Sequence, residues 1–226
     1  MNKLIRRLLG TAAVLGATLS PQVHATVTNL DFEGDALTGL YFAGDSFTQK
    51  GFKMTADFDF GTVDKASALG SVAPTGNASQ FYFNSNDGGL IIKREDNGIF
   101  DLMGFSAAFV PLSPPSSLTT VIVADAIDAD GNEFGVAWLF ASSSTSNFPF
   151  ANYSNPADFA SFKRLRQVEF FACSLVGSSL CTAATRDSGQ FALDNVLVAA
   201  LPEPASLVLV MLALAGLTVT ARRRIR

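Results

Sequence analysis

The chain has 226 residues, of which 48% are hydrophobic, and its formal net charge is −4. This composition excludes an intrinsically disordered protein, because disorder requires low hydrophobicity together with high net charge. It also excludes a polytopic membrane protein, since no long apolar run occurs between residues 26 and 200.

The N-terminal segment, residues 1–25, has the pattern of a secretory signal peptide. A basic stretch at 1–7 precedes a short apolar run at 8–19, and Val23-His24-Ala25 places small residues before a cleavage point. We therefore expect export through the Sec translocon and cleavage by signal peptidase after Ala25. The alternative is an uncleaved anchor helix, although the apolar run is short for a membrane span.

The central segment, residues 26–200, is predicted to be one all-β domain, an antiparallel β-sandwich of jelly-roll type. Short stretches alternate apolar and polar side chains, and turn residues separate them. All twenty Phe lie between Phe32 and Phe191, and their rings suit the space between two packed sheets. The predicted strands include residues 57–60, 80–84, 89–92, 119–124, 133–140 and 189–198.

The clearest predicted hairpin pairs residues 121–123 with residues 134–138 across Asp130-Gly131-Asn132. We expect loops at 111–115 and at 142–156, and a helical pattern only at 156–166. The acidic stretch 125–133 superficially resembles a calcium loop. It lacks the EF-hand spacing, so a hairpin turn with solvated carboxylates is favoured.

Cys173 and Cys181 are the two cysteines of the sequence. In an exported chain, two cysteines this close together favour a disulfide, and Gly177-Ser178-Ser179 supplies the turn between them. The alternative is a free pair with a redox or metal-binding role, which the spacing does not favour.

The C-terminal segment, residues 201–226, has three parts: Pro202-Glu203-Pro204, an uncharged apolar run at 205–221, and an arginine-rich end. The apolar run is at the short end of a transmembrane helix, and the arginines favour a cytoplasmic end. This arrangement resembles the PEP-CTERM sorting signal of Gram-negative bacteria. A plain membrane anchor is the alternative.

The resemblance implies a partner and a destination. An exosortase-type membrane protease is expected to cut near Pro202-Glu203-Pro204 and to pass the protein to the cell envelope, the outer surface or the extracellular matrix. Proteins of this group are associated with exopolysaccharide and biofilm, so the resemblance implies a structural role there.

Two further stretches resemble the secreted β-sandwich domains of that group. The run from Phe191 to Val196 matches their closing strand, and the run from Leu30 to Gly34 matches their opening strand. In related sandwiches, carboxylates of these two strands share a structural calcium ion. Glu33 and Asp194 are therefore the candidate calcium ligands. The alternative is that Asp194 accepts hydrogen bonds only from nearby protein groups.

Catalysis is not expected. The one histidine, His24, lies in the signal peptide, which excludes Ser-His-Asp and Cys-His mechanisms from the mature protein.

The segment 26–200 holds nineteen of the twenty acidic residues but only nine of the sixteen Lys and Arg residues. Such an acidic domain does not suit nucleic-acid binding.

Two functions remain: a non-catalytic structural protein of the envelope or matrix and, as the alternative, a glycan-binding module for the exopolysaccharide. Trp138 and Tyr82 are the candidate ligand-binding residues, because sugar rings stack on aromatic platforms. Exposure of either side chain beside a groove favours glycan binding, and burial of both favours the structural role.

Overall fold

The computed structural model describes residues 25–85, 87–110, 119–140, 148–175 and 189–201. Residues Thr26–Leu201 form one compact unit. The predicted signal peptide, the sorting signal with its apolar run, the 111–115 loop and Cys181 lie outside the described residues. Within the described part of the chain, no helix is long and apolar enough to span a membrane.

The described residues form thirteen strands and little helix, which confirms the all-β prediction. A short helix, α1, spans Ala66–Leu69, and 3-10 turns span Asp35–Leu37 and Gly70–Val72. The strands are β1 Thr26–Leu30, β2 Gly39–Phe42, β3 Ser46–Gln49, β4 Phe52–Asp57, β5 Phe60–Lys65, β6 Gln80–Ser85, β7 Gly89–Arg94, β8 Phe100–Phe109, β9 Thr119–Asp128, β10 Glu133–Leu139, β11 Ala151–Tyr153, β12 Leu165–Leu175 and β13 Phe191–Ala200.

The strands pair antiparallel and form two layers. The first sheet has the order β2-β5-β6-β13-β8-β11, and β1 pairs with β13 beyond the end of β6. The second sheet has the order β10-β9-β12-β7-β4-β3. One residue pair, Leu165 with Phe100, joins the two sheets along the hydrogen-bonded path.

Local predictions from the sequence are partly right. The β9–β10 hairpin is confirmed, with Trp138 opposite Ile122. The predicted strand at 57–60 is wrong, because Phe58 and Asp59 form the turn between β4 and β5. The predicted helix at 156–166 is also wrong, since this segment contains turns before β12 begins. The predicted 142–156 loop contains the short strand β11.

An aromatic core fills the space between the sheets. The Phe105 ring lies at its centre, 5.2 Å from the Trp138 ring, 5.0 Å from Phe170 and 4.9 Å from Tyr153, measured between ring centroids. The completely or almost completely buried phenylalanines of this core include Phe32, Phe52, Phe100, Phe162, Phe170 and Phe191. This packing confirms the expected use of most phenylalanines as interior side chains.

The outer faces of the two sheets differ. On the first sheet, a second apolar cluster covers part of the outer face, where Phe81 and Phe83 pack under Leu69, Val72 and Phe150. On the second sheet, polar side chains of β4, β7, β9 and β10 are exposed on the outer face, among them Lys53, Lys93, Asp125 and Glu133. The fold therefore leaves the second sheet as the more accessible polar surface.

Candidate functional site

The two aromatic side chains predicted to bind ligand are both buried. Tyr82 is 0% exposed, and its hydroxyl lies 3.2 Å from Asn84 Oδ1 and 3.3 Å from the Gly89 carbonyl. Trp138 is 9% exposed, and its ring stacks on Phe159 at 5.4 Å. Neither side chain presents a face to a sugar ring, so the structure corrects their assignment as ligand-binding residues.

The predicted calcium ligand Asp194 is a buried carboxylate in a hydrogen-bond network. Its Oδ2 accepts hydrogen bonds from Asn77 Nδ2 at 2.7 Å and from Ser79 Oγ at 3.0 Å. Its Oδ1 accepts one from the Asn195 backbone N–H at 2.7 Å. Burial raises the pKa of Asp194 to about 6, although these hydrogen bonds favour the charged form.

The second predicted calcium ligand, Glu33, and Asp194 both accept hydrogen bonds from the segment 77–80. The Glu33 Oε1 accepts a hydrogen bond from the Gln80 backbone N–H at 3.1 Å, beside Asn77 and Ser79. In the part of the chain that the structure describes, no three or more His, Cys, Asp or Glu side chains are grouped to hold a metal. The hydrogen bonds satisfy Asp194 as the alternative anticipates, and calcium binding stays a prediction.

Two other predicted sites fall partly or wholly beyond the described residues. Cys173 lies on β12, but its expected partner Cys181 lies outside the described part, so the pairing stays a prediction. The same holds for the sorting motif Pro202-Glu203-Pro204. The chain is described up to Leu201, whose carbonyl accepts a hydrogen bond from Arg94 Nη1 at 2.7 Å.

The structure shows a surface depression that the sequence did not indicate. A depression of about 410 Å³ opens on the outer face of the second sheet, over β10, β9 and β12. The pairing of the three strands aligns six lining residues in two rows across the sheet. The rows are Glu133–Ile127–Gln167 and Gly135–Asp125–Glu169. The full lining consists of Asp125, Ala126, Ile127, Glu133, Phe134, Gly135, Gln167 and Glu169.

Two glycines make room for the carboxylates of this depression. A Cβ on Gly135 would overlap the Asp125 carboxylate, and a Cβ on Gly89 would lie 2.9 Å from Glu169 Oε1. Any larger residue at either position would displace these carboxylates. Glycine in a strand often marks such a close approach. The side chains of Asp125 and Glu169 therefore lie across the sheet surface.

Burial and neighbouring carboxyl groups raise the pKa of two carboxyl groups on this face. The Glu169 carboxylate extends over Gly89, whose strand partner is Asp57 on β4. Burial, together with the nearby carboxyl groups of Asp57 and Asp125, raises the pKa of Glu169 to about 7. Burial and the charge of Glu133 also raise the pKa of Asp125. The charge of the depression therefore changes near neutral pH.

The acidic hairpin of the sequence divides into two functional parts. Asp128 Oδ1 accepts hydrogen bonds from the backbone N–H groups of Asp130 at 2.8 Å and Asn132 at 2.9 Å, as a turn residue does. Asp125 and Glu133 lie on the strands and line the depression instead. The prediction of a turn is confirmed for its tip. The position of Asp125 and Glu133 beside the residues of β12 could not be predicted from the hairpin alone, because it depends on the pairing of β9 with β12.

Comparison with known proteins supports the fold. No protein-family model and no curated protein sequence matches the chain. A DUF4465 family protein from Bacteroides caccae is similar in structure, with a TM-score of 0.53 and 14% sequence identity over 78% of this chain and 100% of that one. The chain thus has the all-β sandwich fold of that protein.

Two carbohydrate-binding modules align less closely. The CBM22-1 xylan-binding domain from Paenibacillus barcinonensis has a TM-score of 0.32 and 9% identity, over 80% of this chain and 98% of that one. The family 11 module from Clostridium thermocellum has a TM-score of 0.35 and 14% identity, over 80% of this chain and 100% of that one. Neither score is high enough to assign a function.

The raised pKa of Glu169 predicts a pH-dependent stability. The pKa of Glu169 in the folded protein is about 7, above the usual 4.5. Its contribution to the free energy of unfolding is therefore fully present below pH 4.5 and is lost as the pH rises through 7. We expect Glu169→Gln to remove this decline. The difference in free energy of unfolding between wild type and variant, measured in urea from pH 4.5 to 8, should shift in favour of the variant.

A matched control is Glu95→Gln on the exposed turn after β7. Its free energy of unfolding should follow the wild-type pH profile. An unchanged difference between wild type and Glu169→Gln across this pH range would contradict the raised pKa of Glu169.

The calcium prediction has a direct test. If Glu33 and Asp194 contribute to a calcium site, EDTA should lower the melting temperature of the protein, because an ion that binds only the folded state stabilises it. Added calcium should restore the value, and magnesium should restore it less. An identical melting temperature with EDTA and with calcium would leave the hydrogen bonds from Asn77, Ser79 and Asn195 as the whole account of Asp194.

Proposed function

We propose that the domain is an exported, non-catalytic glycan-binding module whose site is the depression over β10, β9 and β12. One observation carries this proposal: an open concavity of about 410 Å³ gathers carboxylate and amide side chains on the outer face of the second sheet. Its volume falls within the range of about 300–1,000 Å³ typical of small-molecule sites.

The chemistry of the lining suits sugars. Asp125, Glu133 and Glu169 offer carboxylate oxygens, which form strong hydrogen bonds with hydroxyl donors. The Gln167 side chain offers both a donor and an acceptor. The half-buried Ile127 side chain supplies apolar contact for the C–H face of a sugar. This mixture of groups fits a neutral, hydroxyl-rich ligand better than an anionic one.

The non-catalytic part of this proposal rests on the sequence, where the one histidine, His24, lies in the predicted signal peptide.

Delivery to the cell surface belongs to the same proposal. The resemblance of residues 201–226 to a PEP-CTERM signal supports sorting by an exosortase-type protease after Sec-dependent export. The described chain runs as far as Leu201, directly before Pro202-Glu203-Pro204, so the domain and the motif are adjacent in sequence. The glycan would then be an exopolysaccharide of the bacterium's own envelope or matrix.

A purely structural role in the matrix is the second candidate. It is favoured by the burial of Trp138, the one tryptophan of the sequence, and of Tyr82. Burial of both is the outcome that the sequence analysis associated with this role. The structural role predicts a stable domain that binds no soluble glycan.

Asp125→Asn tests the proposed site. We expect it to weaken glycan affinity about tenfold, because a hydrogen bond to a charged acceptor contributes about 1.5–3 kcal/mol. The measurement is affinity electrophoresis of Thr26–Leu201 in gels that contain xylan, mixed-linkage β-glucan, β-1,4-galactan or the bacterium's exopolysaccharide. Asp64→Asn on β5 of the first sheet is the matched control and should migrate like wild type.

The outcomes separate the two candidates. If a glycan retards the wild-type protein and retards Asp125→Asn less, the result supports the depression as the binding site. Equal retardation of wild type and Asp125→Asn would place the site elsewhere. No retardation of wild type in any gel would contradict glycan binding for these polysaccharides and favour the structural role.

Processing has its own prediction. We expect the protein recovered from the cell surface or medium to begin at Thr26 and to lack the apolar run at 205–221. Replacement of Pro202-Glu203-Pro204 by three alanines should leave the C-terminal segment attached and the protein in the membrane fraction. Intact mass spectrometry of each fraction measures both ends. An identical mass and location for the alanine variant would contradict sorting by this motif.

A further inference from the structure

Two phenylalanines are exposed although most of the others are buried. Phe58 is 69% exposed and Phe42 is 58% exposed. Phe42 ends β2, and Phe58 follows β4. A backbone hydrogen bond from Ala43 N–H to the Asp59 carbonyl, 2.8 Å long, joins their two turns. We call this pair of rings, Phe42 and Phe58, the aromatic ridge.

The backbone of the ridge is unusual for its residues. Phe58 has a φ of 53° and the next residue, Asp59, has a φ of 39°. Left-handed conformation is rare for a bulky side chain, and glycine or asparagine would adopt it with less strain. Residues held in such conformations cluster at functional sites. The turn therefore exposes the Phe58 ring in a backbone conformation that its own side chain does not favour.

The turn is also held firmly. The Gly44 N–H donates to the Ala56 carbonyl at 2.9 Å, and the Ala56 N–H donates to the Asp45 carbonyl at 3.0 Å. The Phe58 carbonyl packs closely on Gly88, where an added Cβ would lie 2.7 Å from it. These contacts fix the backbone of the turn that carries the Phe58 ring, and a fixed backbone lowers the ordering cost of binding.

The charges beside the ridge restrict its partner. Asp45, Asp57 and Asp59 flank the two rings, and neither segment 42–47 nor segment 56–61 contains a Lys or Arg. Such surroundings disfavour anionic lipid and nucleic acid, which require basic residues. A pyranose ring fits them, because its apolar face packs on an aromatic ring while its hydroxyl groups donate to carboxylates.

The ridge is continuous with the proposed site. Asp57 directly precedes Phe58 and pairs with Gly89, over which the carboxylate of the lining residue Glu169 extends. Their strands, β4 and β12, are separated only by β7, so the distance between the strands is about 10 Å. A chain of sugars that begins in the depression therefore reaches Asp57 and the ridge within a few units.

We propose that Phe58, with Phe42, forms an aromatic stacking subsite for a pyranose ring and extends the glycan site beyond the depression. This inference rests on the proposed glycan-binding function and adds its ligand class: an oligosaccharide with an accessible apolar ring face, rather than a single sugar or an anionic polymer. The carboxylates of Asp45 and Asp59 accept hydrogen bonds from hydroxyl groups of the stacked sugar ring.

Phe58→Gly is the decisive variant, because it removes the ring and relieves the left-handed strain together. We expect about 3- to 10-fold weaker binding to the polysaccharide that retards wild type, measured by affinity electrophoresis. The melting temperature should stay within a few degrees of wild type or rise. Phe58→Asn, which also tolerates the turn, should behave alike. Val27→Thr, an exposed apolar position on β1, is the control and should bind normally.

The outcomes distinguish this inference from the proposed function. Normal binding by Phe58→Gly, with loss in Asp125→Asn, overturns the ridge and leaves the depression intact. Loss in Phe58→Gly alone supports the ridge and moves the main site there. No binding by wild type overturns both proposals. Self-association or binding to phosphatidylcholine vesicles that Phe58→Gly abolishes, without any glycan effect, would also overturn the stacking subsite.

Discussion

Aromatic packing between the two sheets is the interaction on which the rest of this structure depends. Phe105, Trp138 and Phe170 meet at the centre of the core, and phenylalanines fill most of the remaining space. Large rings bury much apolar area per residue and dominate the energetics of such a core. Because the core takes the one tryptophan and Tyr82, the surface of this domain depends on other side chains for recognition.

The two outer faces then take different roles. Part of the first sheet carries a second apolar layer, in which Phe81 and Phe83 are covered by α1 and Phe150. The second sheet carries carboxylates on β4, β9, β10 and β12, with Gly89 and Gly135 leaving space for them. Burial, together with neighbouring carboxyl groups, raises the pKa of Glu169 to about 7. A face of this kind is suited to binding hydroxyl groups at neutral pH.

Much of the β architecture follows from the sequence pattern, whereas the site does not. The β9–β10 hairpin is predictable because turn residues separate two apolar runs. The helix predicted at 156–166 is absent, and Phe159 and Phe162 pack on Trp138 from a segment of turns. Burial of Tyr82 is not predictable, since β6 is buried on both faces and alternation alone does not identify the core side.

The depression also cannot be predicted from the sequence pattern, because it depends on which strands pair. Asp125, Glu133 and Glu169 belong to three strands, and only the pairing of β12 with β9 brings Glu169 beside Asp125. Asp194 shows the opposite case, since its position in an apolar strand already indicated a partner. The structure supplies Asn77, Ser79 and Asn195 as hydrogen-bond donors. Buried polar groups require partners in this way, but the pattern does not say which ones.

The central claim is that the outer face of the second sheet binds glycan, and nuclear magnetic resonance tests it most directly. The backbone amides of ¹⁵N-labelled Thr26–Leu201 are followed during titration with oligosaccharides cut from the polysaccharide that retards the protein. The account predicts shifts concentrated at 125–127, 133–135 and 167–169, and extending to 57–59. Shifts confined to the first sheet, or none at saturating oligosaccharide, would contradict it.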